Sequence, residues 1–299
     1  MTTTLTGKRL LLCRLDGLSQ IPTIPAVLSP LLRYLDQPVE KLDARKVTDL
    51  LAQDNALAAQ CLHMANSPLF GRQQRAESLR GAVVSLGFGH VSDIALSCGL
   101  LNMLPARDSG LDPVVFWEHA LGCALVCRHL ARSIHLDDPG KAYLAGLLHD
   151  LGIIVNLWLL PREFRPAYEM AREEGIPLHE AEQRVLGFTH CESGRLLAEK
   201  WAFAAPLIEV VTHHHAPGKA TENAGLVALV HVADLLCRMS GLNYGYMEQR
   251  QVNLFEDAGF ARLARDCPSL PDFDWARLTF ELDSYMDEVH TLVRAIYRR

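Results

Sequence analysis

Along most of this chain the apolar residues recur at i, i+3, i+4 and i+7, the spacing that gathers them on one face of a helix. The segments 27–35 (VLSPLLRYL), 47–65 (VTDLLAQDNALAAQCLHMA), 120–134 (ALGCALVCRHLARSI) and 193–202 (SGRLLAEKWA) carry the pattern. No run alternates apolar and polar residues for long enough to make a strand. Pro22, Pro25, Gly71, Gly87, Gly110, Pro113, Pro139, Gly175, Pro206 and Pro217 fall between the periodic segments, where helices stop or start. One helix is expected to end at Asn66-Ser67, because Pro68 biases the residue before it out of helical geometry. The sequence therefore predicts an all-α, multi-helix fold, closed by a final amphipathic helix in DWARLTFELDSYMDEVHTLVRAIYRR.

With 299 residues, 49% of them hydrophobic, the chain has material for one large core or two ordinary ones. A net charge of −6 argues against general nucleic-acid binding. The longest apolar stretch, Leu144–Leu160, is interrupted by His149, Asp150 and Asn156 and is shorter than the ~20 residues of a membrane span. Near the N-terminus, the basic pair Lys8-Arg9 is followed by only four apolar residues, too few for a signal-peptide core. A cytoplasmic protein without membrane association is the expectation. The eight cysteines include no CxxC pair and read as reduced, mostly buried thiols; Cys123 and Cys127, one turn apart, read as core packing.

Histidine carries the functional signal. His119 (FWEHA), His149 (GLLHDLG), His190 (LGFTHCESG) and the run His213-His214-His215 (VTHHHAP) stand near predicted helix ends or faces, with Asp150 and Asp234 (VHVADLLC) beside them. His149-Asp150 constrains most. Its flanks, AYLAGLL and LGIIVNLWLL, are almost wholly apolar, and a charged aspartate there is costly unless paired or bound to metal. Imidazole and carboxylate together suit divalent transition metals, and a carboxylate can bridge two of them. Trp117 and Trp201, near these residues, read as core packing. Arg72, Arg75 and Arg80 read as a solvated basic loop, and the ANS (65–67) and SLG (85–87) motifs as structural turns.

GLLHDLG, LGFTHCESGRLLAEKWAFAAPLIEVVTHHHAP and HVADLL resemble the HD superfamily of metal-dependent phosphohydrolases. IPTIPAVLSPLL, LLAQDNALAAQCLHMANSPLFG and SLRGAVVSLGFGHVSDIALS narrow the resemblance to the HDOD branch, over about Leu18 to Cys237. This resemblance implies a metal set of His119, His149, Asp150, His190, His214, His215 and Asp234. Asp150 is the implied bridge and the one catalytic candidate, and His213 an extra neighbour. It implies divalent transition metal ions (Fe, Mn, Zn or Ni), one or two of them. It further implies a bacterial signal-transduction role exercised through a signalling protein partner or a small nucleotide ligand. The alternative is a phosphohydrolase acting on a nucleotide or cyclic dinucleotide. Where HD-GYP phosphodiesterases resemble HDxGK, Ile153 replaces the lysine, and Ala216-Pro217-Gly218 stands in place of the GYP loop; both departures weigh toward regulation. The expected organisation is 1–110 as the N-terminal helical part, 111–240 as the HD-like domain with the metal centre, and 241–299 as a C-terminal helical extension.

Overall fold

The structure, a computed structural model, describes residues 7–16, 30, 34, 43–70, 75–101, 110–250, 252–267, 270 and 273–297. The described residues contain helices and no strand. In chain order the helices are α1 (Gly7–Asp16), α2 (Ala44–Leu51), α3 (Asn55–Ala65), α4 (Leu79–Leu86), α5 (Phe88–Leu101), α6 (Pro113–Ser133), α7 (Pro139–Leu148), α8 (Leu151–Leu159), α9 (Pro161–Glu174), α10 (Leu178–Leu186), α11 (His190–Lys200), α12 (Ala205–His213), α13 (Ala224–Met239), α14 (Ala258–Asp266) and α15 (Trp275–Tyr297). The helix expected over 27–35 lies, apart from residues 30 and 34, outside the described residues, as does Arg72.

The chain divides into two compact units, one built from residues 1–21 and 104–283, the other from 22–103 and 284–299. In the second, the segment expected as one helix over 47–65 is two. The Asp54 side chain accepts hydrogen bonds from the Ala56 and Leu57 amides, so it caps α3 and stops α2 at Leu51. Asn66 closes α3 and pairs with the Ala76 backbone through both its amide oxygen (2.7 Å) and its amide nitrogen (3.0 Å). Gly87 ends α4 at φ +83°, a conformation that suits glycine. Both motifs are thus turns, as their sequences suggest.

The first unit holds the clustered histidines His119, His149, His190, His214 and His215. Its central helices, α6 and α13, are buried on every face over most of their length, as helices enclosed by others must be. They pack on each other, and α7 packs along α6. Gly146 makes the α6–α7 approach possible: a methyl there would come 2.8 Å from both Cys123 O and Cys127 Sγ. The run Pro139–Leu159 is long and apolar enough by composition to cross a membrane, yet 83% of its most apolar stretch is buried inside the protein. Burial, rather than the shortness read from 144–160, marks this hairpin as core.

Candidate metal centre

His149 caps the C-terminus of α7 and Asp150 precedes α8, so the pair occupies the turn between two apolar helices. His119 lies within α6, and Asp234 within α13. His190 opens α11, where the Thr189 amide donates to Glu192 Oε2 at 3.2 Å and fixes the helix start. His214 caps the end of α12 and His215 follows it. Four helices and the α7–α8 turn thus converge, and the seven residues expected as metal ligands come together. His213, half-buried, stays outside the cluster.

The hydrogen bonds define which ring nitrogens are free. A carbonyl only accepts, so a ring nitrogen paired with one must carry the hydrogen. His119 Nδ1 donates to Leu242 O at 2.7 Å, His149 Nδ1 to Gly146 O at 2.7 Å and His214 Nδ1 to Val210 O at 3.1 Å. His190 Nδ1 pairs with Glu182 Oε2 at 2.6 Å. The four Nε2 atoms are therefore bare lone pairs in the neutral rings, and they point at one another. His119 Nε2 is 3.3 Å from His149 Nε2, and His190 Nε2 is 3.4 Å from His214 Nε2 and 3.1 Å from His215 Nε2. Nitrogens about 2.0–2.1 Å from one shared ion lie about 2.9–3.4 Å apart at ordinary coordination angles. These spacings suit common ligation.

Asp150 stands between the two groups. Its Oδ2 is 3.1 Å from His149 Nε2 and 3.5 Å from His119 Nε2, while its Oδ1 is 3.2 Å from His190 Nε2 and 3.4 Å from His214 Nε2. Oδ1 is buried and makes no hydrogen bond, although a buried carboxylate oxygen is costly without a partner. Asp234 Oδ1 is 3.4 Å from His119 Nε2. Arg238, one turn further along α13, grips Asp234 with two bonds of 2.8 and 3.0 Å. The donor set fits a pair of divalent cations sharing Asp150.

Electrostatics point the same way. Burial works against charge on His119, but Asp150 and Asp234 outweigh it and push the ring up to about 10. His214 reaches about 10 against burial through Cys191 and Asp150. The carboxyls of Asp150 and Asp234 are held well below their usual range despite burial, chiefly by His149 and Arg238 respectively. The cluster thus demands positive charge at its centre, from protons or from metal.

Several partners were not singled out in the sequence. Glu182 orients His190 and also accepts from Asn156 Nδ2 at 2.9 Å. Tyr244 donates its hydroxyl hydrogen to Asp150 Oδ2. His231 joins His214 O to Asp257. Arg238 had a readable signal, its i+4 spacing from Asp234; Glu182 and Tyr244 had none. Cys123 and Cys191 lie close enough to count with the histidines, but their sulfurs meet ring faces. Cys123 Sγ is 3.5 Å from Nε2 and 3.9 Å from Nδ1 of His119, and Cys191 Sγ is 3.9 Å from both nitrogens of His214. A sulfur aligned with one lone pair would stand much further from the ring's other nitrogen. Cys127 is core, as expected, and so is Trp117; Trp201 is half-buried.

Six of the seven side chains are 0–1% exposed and only His215, at 10%, reaches a surface. There a cavity of about 570 Å³ is bounded by His179, His215, Lys219, Arg238, Glu248 and Arg250. The His179 ring stacks on His215 with centroids 4.0 Å apart. Ile153 is fully buried.

The HDOD domain model matches residues 21–217. The chain belongs to the HDOD domain family. An HDOD domain protein of unknown function from Geobacter sulfurreducens superposes with a TM-score of 0.82 at 28% identity, covering 96% of this chain and 97% of that one. A Shewanella amazonensis SB2B structure bearing the name “Putative phosphohydrolase” shares the fold, with a TM-score of 0.71 at 21% identity and coverage of 95% and 98%. An uncharacterized protein of Treponema pallidum (strain Nichols) is 27% identical over 226 residues, 75% of this chain. The chain spans 43% of the length of that curated relative.

Proposed function

We propose that this HDOD protein is a signalling module built on a two-metal centre. His119, His149 and Asp234 hold one divalent transition ion (Fe, Mn, Zn or Ni), His190, His214 and His215 hold the other, and Asp150 bridges them. The observation that carries this reading is the four Nε2 lone pairs of His119, His149, His190 and His214, fixed by Nδ1–H donation and paired at 3.3–3.4 Å around the unpartnered Asp150 Oδ1, with His215 Nε2 3.1 Å from that of His190. Bound ions would supply Lewis-acid charge able to polarise a phosphoryl oxygen. Closure of the site favours regulation over turnover: His215 is the one ligand with any opening, and Ile153 offers no cation to a phosphate. The module's input is a signalling protein partner or a small nucleotide ligand met in the cytoplasm.

One observation favours the second reading, a phosphohydrolase acting on a nucleotide or cyclic dinucleotide. The cavity against His215 falls within the roughly 300–1,000 Å³ typical of ligand pockets, and it gives a small molecule a route to the second ion. The two readings part in one experiment. Metal-loaded protein and its His149→Ala variant are assayed on phosphate monoesters, diesters and cyclic dinucleotides, with melting temperature followed in parallel. The regulatory reading expects a lowered melting temperature in the variant and no metal-dependent turnover in either protein. Turnover that disappears with the metal and in His149→Ala establishes the hydrolase instead.

A further inference from the structure

The turn after α13 closes over one half of the centre. Leu242 O accepts the His119 Nδ1–H bond, and Leu242 fills space that exists because residue 122 is glycine: a methyl there would lie 2.3 Å from Leu242 Cδ1. Tyr168 holds the turn by donating its hydroxyl to Tyr244 O at 2.8 Å. Gly245 continues the turn at φ +84°. Glu248, just beyond, pairs with Arg238, which grips Asp234. Tyr244 is therefore a fixed side chain, 3% exposed. Its ring lies 4.7 Å from the His119 ring, and its hydroxyl contacts Asp150 Oδ2, the oxygen that faces His149 and His119. Among the described residues no phenol contacts Asp150 Oδ1, the oxygen on the His190 side.

We propose that Tyr244 is a further oxygen ligand of the His119–His149–Asp234 half, closing that half to water and phosphate. Exchange of small ligands is thereby confined to the half that meets the cavity at His215. The inference rests on the two-metal reading above. Phenolate oxygen is an established iron ligand. As the oxygen–metal bond forms, the phenolic O–H bond breaks and its proton passes to solvent.

The test is spectroscopic. Wild type, Tyr244→Phe and Tyr246→Phe are loaded with ferrous iron under argon and then exposed to air, each iron giving one electron to dioxygen. Iron content and visible absorption are recorded on the same samples. Tyr246 is the control, on the same turn but bonded to Ile176 O at 3.0 Å, away from the centre. The expected result is a visible phenolate-to-iron charge-transfer band in wild type and Tyr246→Phe, lost in Tyr244→Phe while that variant keeps iron. Iron-bound wild type without the band, or a band that survives in Tyr244→Phe, overturns the Tyr244 assignment alone. Wild type that binds no iron and no other transition metal overturns the centre, and this inference with it.

Discussion

Replacing Glu182 by glutamine keeps the shape of that side chain and removes its charge, and the structure says what this should cost. Oε2 accepts two bonds from one residue, from His190 N at 2.8 Å and Nδ1 at 2.6 Å, while Oε1 accepts from Asn156 Nδ2. A glutamine keeps its oxygen toward His190 and turns its amide nitrogen toward Asn156. Asn156 then flips to offer Oδ1, which is buried without a partner in the wild type. One buried orphan replaces another, so the fold loses mainly the charge assistance on the two His190 bonds, about 1–2 kcal/mol. The larger effect falls on the metal. Removing a carboxylate that orients a ligating histidine lowers affinity roughly 10–100-fold, or about 1.4–2.7 kcal/mol. Dialysis against graded chelator, followed by elemental analysis, measures the shift. Glu180→Gln, on the same helix but paired with exposed Arg250 at 3.7 Å and away from the centre, should retain metal like wild type. Glu182→Gln within twofold of wild type, or Glu180→Gln equally impaired, would refute the reasoning.

Other outcomes follow from particular contacts. Gly152→Ala would set a methyl 1.7 Å from His190 O, with Gly194 N at 2.7 Å. Backbone must move, so we expect destabilisation of about 3 kcal/mol or more and loss of metal from the His190 half; urea denaturation with unchanged midpoint and full metal content would contradict this. In metal-free protein, His119 and His214 sit at about 10, above the ~6.5 of the unfolded chain. Their stabilisation is complete below about 6.5 and is lost as pH rises through about 10. Cys191, brought down to about 6 against burial by His214 and His190, contributes in the opposite sense and offsets part of the loss. The melting temperature of the metal-free protein should fall between pH 7 and 10, and that of the metal-bound protein should fall less, which calorimetry checks. Asp234→Ala removes two charge-assisted hydrogen bonds from the buried Arg238 and leaves it paired with Glu248, at a cost of about 2–3 kcal/mol; Asp234→Ala combined with Arg238→Met should recover part of the stability without the metal.

The sequence made some of this legible because single physical rules applied locally. An ionisable His-Asp pair inside an apolar run had to be compensated, and the structure surrounds it with imidazoles. The helical period was readable wherever one face is core, and it failed at Asp54 because a side-chain cap outweighed an unbroken apolar pattern. Glu182 was hidden because its helix, LHEAEQRVL, has the look of a solvated amphipathic surface; its burial depends on α8 supplying Asn156. Tyr244 could not be found from spacing, since 94 residues separate it from Asp150 and the turn bringing them together depends on glycines and on Tyr168. Of the three consecutive histidines, only the end of α12 decides that His214 and His215 face inward while His213 does not.

Elemental mass spectrometry on protein purified without added metal or chelator, beside His149→Ala and Asp150→Ala, tests the centre most directly. About two equivalents of transition metal in wild type, reduced in both variants together with their melting temperatures, is the predicted result. Wild type free of metal, with variants melting at the wild-type temperature, would contradict the account at its root.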